Sequence, residues 1–378
     1  MIWQKLSLAV FVLVALQGVT APAFAQVAIG ETPDNREIGQ GPNGHLFRGW
    51  EGERRRLQER GVAFDFQYIS DTLADLKSER KERLTNWNRV RGTMDINLGL
   101  LAGWNGVFFH VTAVWQGGGN MGTYLGLLTL PAKASANTFR LDSWWLEKRM
   151  RNQRIVARIG QFAGQGFYGE QLYATSFIIE RIGYALGNLS ATFETFDPPS
   201  TPAAELRVIP LRWLYVKSMV LAADRSQYAH NPTGFVPQFR GDPLSVSEIG
   251  FSFGRDATSV RAIDNVETRN GYSGLYRFGA SYNPGQFPDP ATSKPRSGNY
   301  LLYGMIDQAL WRLDPQGGKG LDGTLAYDWS PADVNRRNRL LTAGLRFNEP
   351  LPLPFHNTVS LGYVRRTLSS NFAASGVP

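Results

Sequence analysis

Between Thr138 and Phe162 the chain alternates with period two on both sides of a short polar link, Lys148 to Gln153. In the second arm Ile155, Ala157 and Ile159 share one face, and Arg154, Val156 and Arg158 share the other. In the first arm Arg140, Asp142 and Trp144 fall on one face. Side chains of a strand point alternately to opposite sides, so two such arms about a short link predict an antiparallel hairpin. Its polar face carries repeated arginine rather than a mixture of small polar residues. A hairpin with one apolar and one charged face divides an apolar medium from a wet one. The rest of the 378-residue chain has to supply neighbours for it.

The N-terminus predicts where that wet face lies. Lys5 precedes the unbroken apolar run Leu6 to Leu16, and Ala23-Phe24-Ala25 fits a small-residue cleavage site, with Gln26 as first mature residue. This is the pattern of an export signal. The run is shorter than the roughly 20 apolar residues that a membrane-spanning helix needs. No later window looks like a membrane helix, because Gly, Arg or Asn interrupts every apolar run. Yet the chain holds 40 Gly, 22 Phe, 14 Tyr and 10 Trp. An exported chain of that kind fits an outer-membrane β-barrel and also a large soluble β protein of the periplasm.

With no cysteine and a formal charge of +8, a disulfide framework and a thiolate metal site are excluded. The positive balance suits anionic membrane surfaces or solutes, and an export signal argues against nucleic acid. The four histidines, His45, His110, His230 and His356, show no metal-ligand spacing, and His110 reads as a hydrogen-bonding residue of a polar strand face. The Gly160 to Gly166 run lacks the Lys-Ser/Thr sequel of a phosphate cradle. No G-x-S-x-G turn is present. The carboxylates Asp95, Asp142, Glu248 and Asp328 lie on polar faces, where pairing with arginine is expected. The reading is therefore non-enzymatic, with no cofactor, metal or catalytic residue.

Along the chain, residues 26–44 predict a loose arm and 45–61 a short helix stopped at Gly61. Period-two segments begin at Val62 and recur at 93–101, 106–116, 138–162, 211–221, 247–254, 272–282, 299–312, 323–329, 338–348 and 357–366. Arg277 and Arg346 fall on the polar faces of their segments. Links near 102–106, 148–153, 313–322 and 349–356 are short. Those near 71–91, 117–137, 163–206, 222–246 and 283–298 are long. Short turns on one side and long loops on the other are the asymmetry of a bacterial outer-membrane barrel. The longest excursion, 163–206, is expected to fold partly inward, bringing Tyr168 and Tyr173 toward solute, with a helical piece near 171–182. Arginine and carboxylate groups hydrogen-bond vicinal hydroxyls, and aromatic faces such as those of Trp144, Tyr168 and Tyr173 pack on a pyranose.

Several stretches resemble one family in their order along the chain. They are Gly49-Trp50-Glu51-Gly52 before Gly61-Val62-Ala63-Phe64-Asp65, then Leu141-Asp142-Ser143-Trp144-Trp145-Leu146-Glu147 with Arg158-Ile159-Gly160-Gln161. Tyr276-Arg277-Phe278-Gly279, Ser297-Gly298-Asn299-Tyr300 and Trp329-Ser330-Pro331-Ala332-Asp333 follow. In these the chain resembles the OprB-like carbohydrate-selective porins of Gram-negative outer membranes. The resemblance implies an all-β transmembrane antiparallel barrel of about sixteen strands with an arginine-bearing channel for sugars. About twelve strands are visible, and the chain lacks an aromatic-terminated last strand, so a C-terminally incomplete barrel is expected. The division expected is a signal peptide at 1–25, an arm and short helix at 26–61, and the barrel at 62–378. The expected function is passive, moderately selective diffusion of carbohydrates across the outer membrane. The expected partners are mono- or oligosaccharides, outer-membrane lipid and lipopolysaccharide, the barrel-assembly machinery and a possible homo-oligomer. The candidate channel residues are Arg140, Asp142, Trp144, Arg154, Arg158, Tyr168, Tyr173, Arg277 and Arg346. The alternative is a soluble periplasmic β protein that binds or hydrolyses sugars.

Overall fold

A computed structural model of the chain describes residues 51–75, 83–119, 137–162, 168, 200–224, 227–254, 271–313, 318–351 and 357–374. The helix α1 (Glu51–Glu59) comes first. It stops at Gly61, whose φ of 89° is a conformation open to glycine at no steric cost. Its guanidinium at Arg54 lies over the Phe64 ring, 5.6 Å from the centroid, and so fastens the helix to the first strand.

Among the described residues thirteen strands follow in one sheet, ordered β1 to β13 as in the sequence and all antiparallel. They are β1 (Val62–Asp75), β2 (Arg83–Asn97), β3 (Val107–Gly118), β4 (Thr138–Met150), β5 (Ile155–Phe162), β6 (Thr201–Leu211) and β7 (Leu214–Ala222). Then come β8 (Pro243–Phe253), β9 (Gly274–Pro288), β10 (Pro295–Arg312), β11 (Gly320–Trp329), β12 (Arg337–Asn348) and β13 (Thr358–Leu368). Short helices α2 (Leu98–Ala102), α3 (Gln227–His230) and α4 (Ser370–Ala374) sit in connections or after β13. Among the described residues no helix is long and apolar enough to cross a membrane.

The two faces of the sheet are inverted relative to a water-soluble protein. Phe66, Phe139, Ile159, Leu206, Phe278 and Leu361 are among many large apolar side chains left exposed, at 72 %, 71 %, 64 %, 49 %, 54 % and 54 %. The opposite face buries Arg140, Asp142, Glu147, Arg277, Asp307 and Asp328 to 3 % or less. Soluble monomers rarely expose a continuous apolar surface of this extent. Strands that alternate apolar-out and polar-in are those of a barrel in lipid. The fold is an antiparallel transmembrane β-barrel.

Several boundaries differ from those read in the sequence. The residues Thr201–Leu211 form a strand of their own, joined to β7 by the two-residue turn Arg212-Trp213. Pro202 and Pro210 mask it in the sequence, but both lie near its ends, where proline is tolerated. The strand read at 93–101 is instead the end of β2, and Leu98–Ala102 turns as a helix because the Asn97 side chain caps the N–H groups of Gly99 and Leu100. The links read as long at 71–91 and 283–298 are mostly strand: only 76–82 and 289–294 separate their partners. The proposed helical piece at 171–182 lies outside the described residues.

Candidate functional site

The charged side chains of the inner face form bonded groups that cross from strand to strand. On β5, Arg158 donates through Nε to Glu147 of β4 and through Nη1 to Glu205 of β6 at 3.2 Å. Arg149 also donates to Glu147. On β9, Arg277 reaches Asp307 of β10 at 2.5 Å, and Thr324 of β11 donates to the same carboxylate at 2.7 Å. Arg312 of β10 pairs with Asp322 of β11 at 2.6 Å. Apart from Arg149–Glu147 within β4, each pair joins adjacent strands of the ladder, so the planar guanidinium is held in one orientation by its partners.

A second group centres on Glu248 of β8, which accepts from the hydroxyls of Tyr215 and Tyr303, both at 2.8 Å, with the Lys217 ammonium at 3.2 Å. The two tyrosine rings lie across glycines of the neighbouring strands. A Cβ at Gly250 would stand 2.2 Å from the Tyr215 ring, and one at Gly279 would stand 2.1 Å from the Tyr303 ring. Glycine at these two places is what lets both phenols converge on one carboxylate. Lys217 lies 4.6 Å from the Tyr168 ring centroid, a distance at which the cation is attracted to the aromatic face.

The third group is His110 of β3. It bonds Asp95 of β2 at 2.7 Å and Thr112 at 2.9 Å, and its ring stacks on Trp145 with centroids 3.7 Å apart. Trp145 begins an apolar patch within the inner wall, continued by Phe162, Met219, Leu221, Leu244 and Leu301, on which Tyr168 is seated. Sequence reading missed this patch, because inner positions were expected to be polar throughout.

The predicted site residues are not all brought together. Arg140, Asp142, Arg158, Arg277 and Arg346 are buried on the inner face, at 0 %, 1 %, 5 %, 3 % and 6 %. Trp144 is not on it. The β3–β4 register shifts between Thr112 and Ala113, so that Asp142 is the extra residue of a bulge. A bulge of one residue reverses the alternation beyond it. Arg140 and Asp142 point inward before it, and Ser143, Trp145 and Glu147 point inward after it. Trp144 is thereby turned to the opposite side. Arg154 also leaves the group: it ends the exposed turn Arg151–Arg154, before β5 starts at Ile155. Tyr168 is fully buried in the apolar patch and offers no open aromatic face, and Tyr173 lies outside the described residues. The carboxylates Glu147, Glu205, Asp307 and Asp322, which hold the arginines, were not singled out from the sequence. Strict alternation with their arginine partners on the next strand was the available signal.

The chain matches the model of the carbohydrate-selective porin, OprB family, over residues 81–377. It belongs to that family. Its fold is similar to that of Pseudomonas putida OprB in the high-pH structure, with a TM-score of 0.75 at 14 % identity, covering 87 % of this chain and 80 % of the other. The low-pH structure of the same protein gives a TM-score of 0.51 at 12 % identity, covering 85 % and 82 %. At such identities the likeness speaks for the fold. No curated protein matches the chain. The family makes this chain a carbohydrate porin, a channel of the outer membrane.

Proposed function

We propose that the barrel passes sugars by passive, moderately selective diffusion along an arginine-bearing inner wall, with Arg140, Asp142, Arg158, Arg277 and Arg346 facing the path. The observation that carries this reading is the pairing of inner arginines with carboxylates of adjacent strands. Arg158 between Glu147 and Glu205, and Arg277 on Asp307, are held as fixed forks and fixed acceptors. Such groups exchange hydrogen bonds with vicinal hydroxyls without having to reorganise, whereas a free arginine would first lose side-chain entropy. Near-balanced charge also leaves a neutral solute without a large barrier. On this reading residues 1–25 are an export signal, 26–61 an arm and helix, and the barrel begins at Val62. Its further partners are outer-membrane lipid, lipopolysaccharide and the assembly machinery.

The test is liposome swelling with the full-length mature protein. Vesicles carrying it should swell in isosmotic glucose faster than in a bulky oligosaccharide. Equal rates for glucose and for a neutral non-sugar solute of the same size would remove the claim of selectivity. Absence of swelling would remove the claim of passage.

A further inference from the structure

Among the described residues the last β4–β5 partners are Trp144 and Gln161, and Phe162 pairs with Thr201 of β6. Beyond Trp144 the connection between β7 and β8 meets β4. The Leu141 N–H donates to the Thr233 carbonyl at 2.8 Å. Gly234 follows with φ 78°, and a Cβ there would sit 1.7 Å from the Leu141 carbonyl oxygen. Gln161 of β5, 0 % exposed, closes the junction from below. Its Nε2 donates to the Gly234 carbonyl at 3.0 Å and to the Asp142 carbonyl at 3.4 Å, and its Oε1 accepts from Asn231 Nδ2 at 3.2 Å. Asn231, 2 % exposed, in turn accepts from the Val236 N–H at 3.2 Å. The connection therefore passes the ends of β6 and β5 to dock on β4, at the bulge that aims Arg140 and Asp142 inward.

We infer that Gln161 is a positioning residue for sugar selectivity: it clasps the 231–236 strap onto β4 and so fixes the inward stretch that carries Arg140 and Asp142. The inference rests on the porin reading and adds the residue that holds its rim. Only an amide side chain both accepts and donates twice in this way. Alanine at 161 leaves two carbonyls and the Asn231 amide without that partner in a place closed to water, and a strap so destabilised is free to lift. With it lifted, the Arg140–Asp142 stretch is no longer held in one geometry.

The experiment compares single channels in planar bilayers in KCl, with and without glucose, for the wild type, Q161A, N231A and Q161A carrying L141C and T233C. The native chain contains no cysteine, so that pair alone can form a disulfide. We expect Q161A to conduct more and to need at least about threefold more glucose for half-block, as losing roughly one net hydrogen bond implies. N231A, which removes the bonds to Gln161 and Val236 but leaves both carbonyl bonds of Gln161, should move in the same direction by less. Oxidation of the cysteine pair should restore both readings and reduction should undo them. Wild-type conductance and block in Q161A overturn the inference, as does failure of the oxidised pair to restore block. If Q161A does not insert, N231A decides: an unchanged half-block overturns the inference. A wild type that conducts no ions would instead end the porin reading itself.

Discussion

Replacing Arg158 separates the two arginines that the sequence placed on one face. Arg158 is 3 % exposed at its side chain and bridges Glu147 and Glu205, whose side chains are 0 % and 2 % exposed. R158A removes one partner of a buried ion pair, which costs about 3–5 kcal/mol because the remaining charge stays desolvated. Arg149 still serves Glu147, so the lower end of that range is expected. E205Q added to R158A should return part of the loss, since one buried charge then disappears. Arg154 lies in the exposed turn, and R154A should cost less than about 0.5 kcal/mol. Function should divide in the same way. An inner charge about 5 Å from a passing ion acts with roughly 0.8 kcal/mol even at the dielectric of water, or about a fourfold change in cation preference. Unfolding in urea, followed by tryptophan fluorescence in detergent, reads the first effect. The reversal potential across a KCl gradient reads the second. If R158A and R154A behave alike in both assays, the assignment of faces in β5 is wrong.

Three further outcomes follow from the same wall. Ile159 faces outward at 64 % exposure, so I159K should lower bilayer stability by about 2–4 kcal/mol if it lies near the midplane; a soluble protein would keep or gain solubility, and membrane fractionation tells them apart. G279A forces the Tyr303 ring, which a Cβ would approach to 2.1 Å, off Glu248 and should cost about 1–3 kcal/mol, read as a lower melting temperature than that of A280G. In the turn between β9 and β10, Asp289 accepts N–H bonds from Ala291 and Thr292 and a bond from Arg296. The Ala291 N–H above all, then the Arg296 bond, holds its pKa below the ordinary carboxylate value. Its support of the turn is therefore present above that ordinary value and is lost as pH falls through the lowered one. Limited proteolysis of the turn should rise at acid pH in the wild type and become flat with pH in D289N.

The strands legible in the sequence were those in which apolar and polar positions alternate without interruption. Arg346 on β12 and Arg277 on β9 fall on the inner face where alternation puts them. In β4 the same rule fails beyond Asp142. Two adjacent tryptophans stand where the parity changes, so composition gives no sign of which one turns inward. Only the pairing with β3 decides it. β6 was hidden for a different reason. Its inner residues Ala203, Glu205, Arg207 and Ile209 alternate well, but Pro202 and Pro210 read as loop signals. The acid partners of the arginines lie on other strands, 11, 47 or 30 residues away in sequence. Local periodicity shows that each points to the polar side and cannot show which two meet. The clasp at Gln161 joins residues 70 and 73 apart and has no local signature at all.

The central claim is that the charged inner face is a path for sugar through a membrane. Single-channel recording of the full-length mature protein in planar bilayers, in KCl with glucose added stepwise, tests it directly. The account predicts discrete conductance steps whose current falls saturably as glucose rises, with the fall weakened in R158A and intact in R154A. Steps that glucose leaves unchanged, or a protein that never inserts, would contradict it.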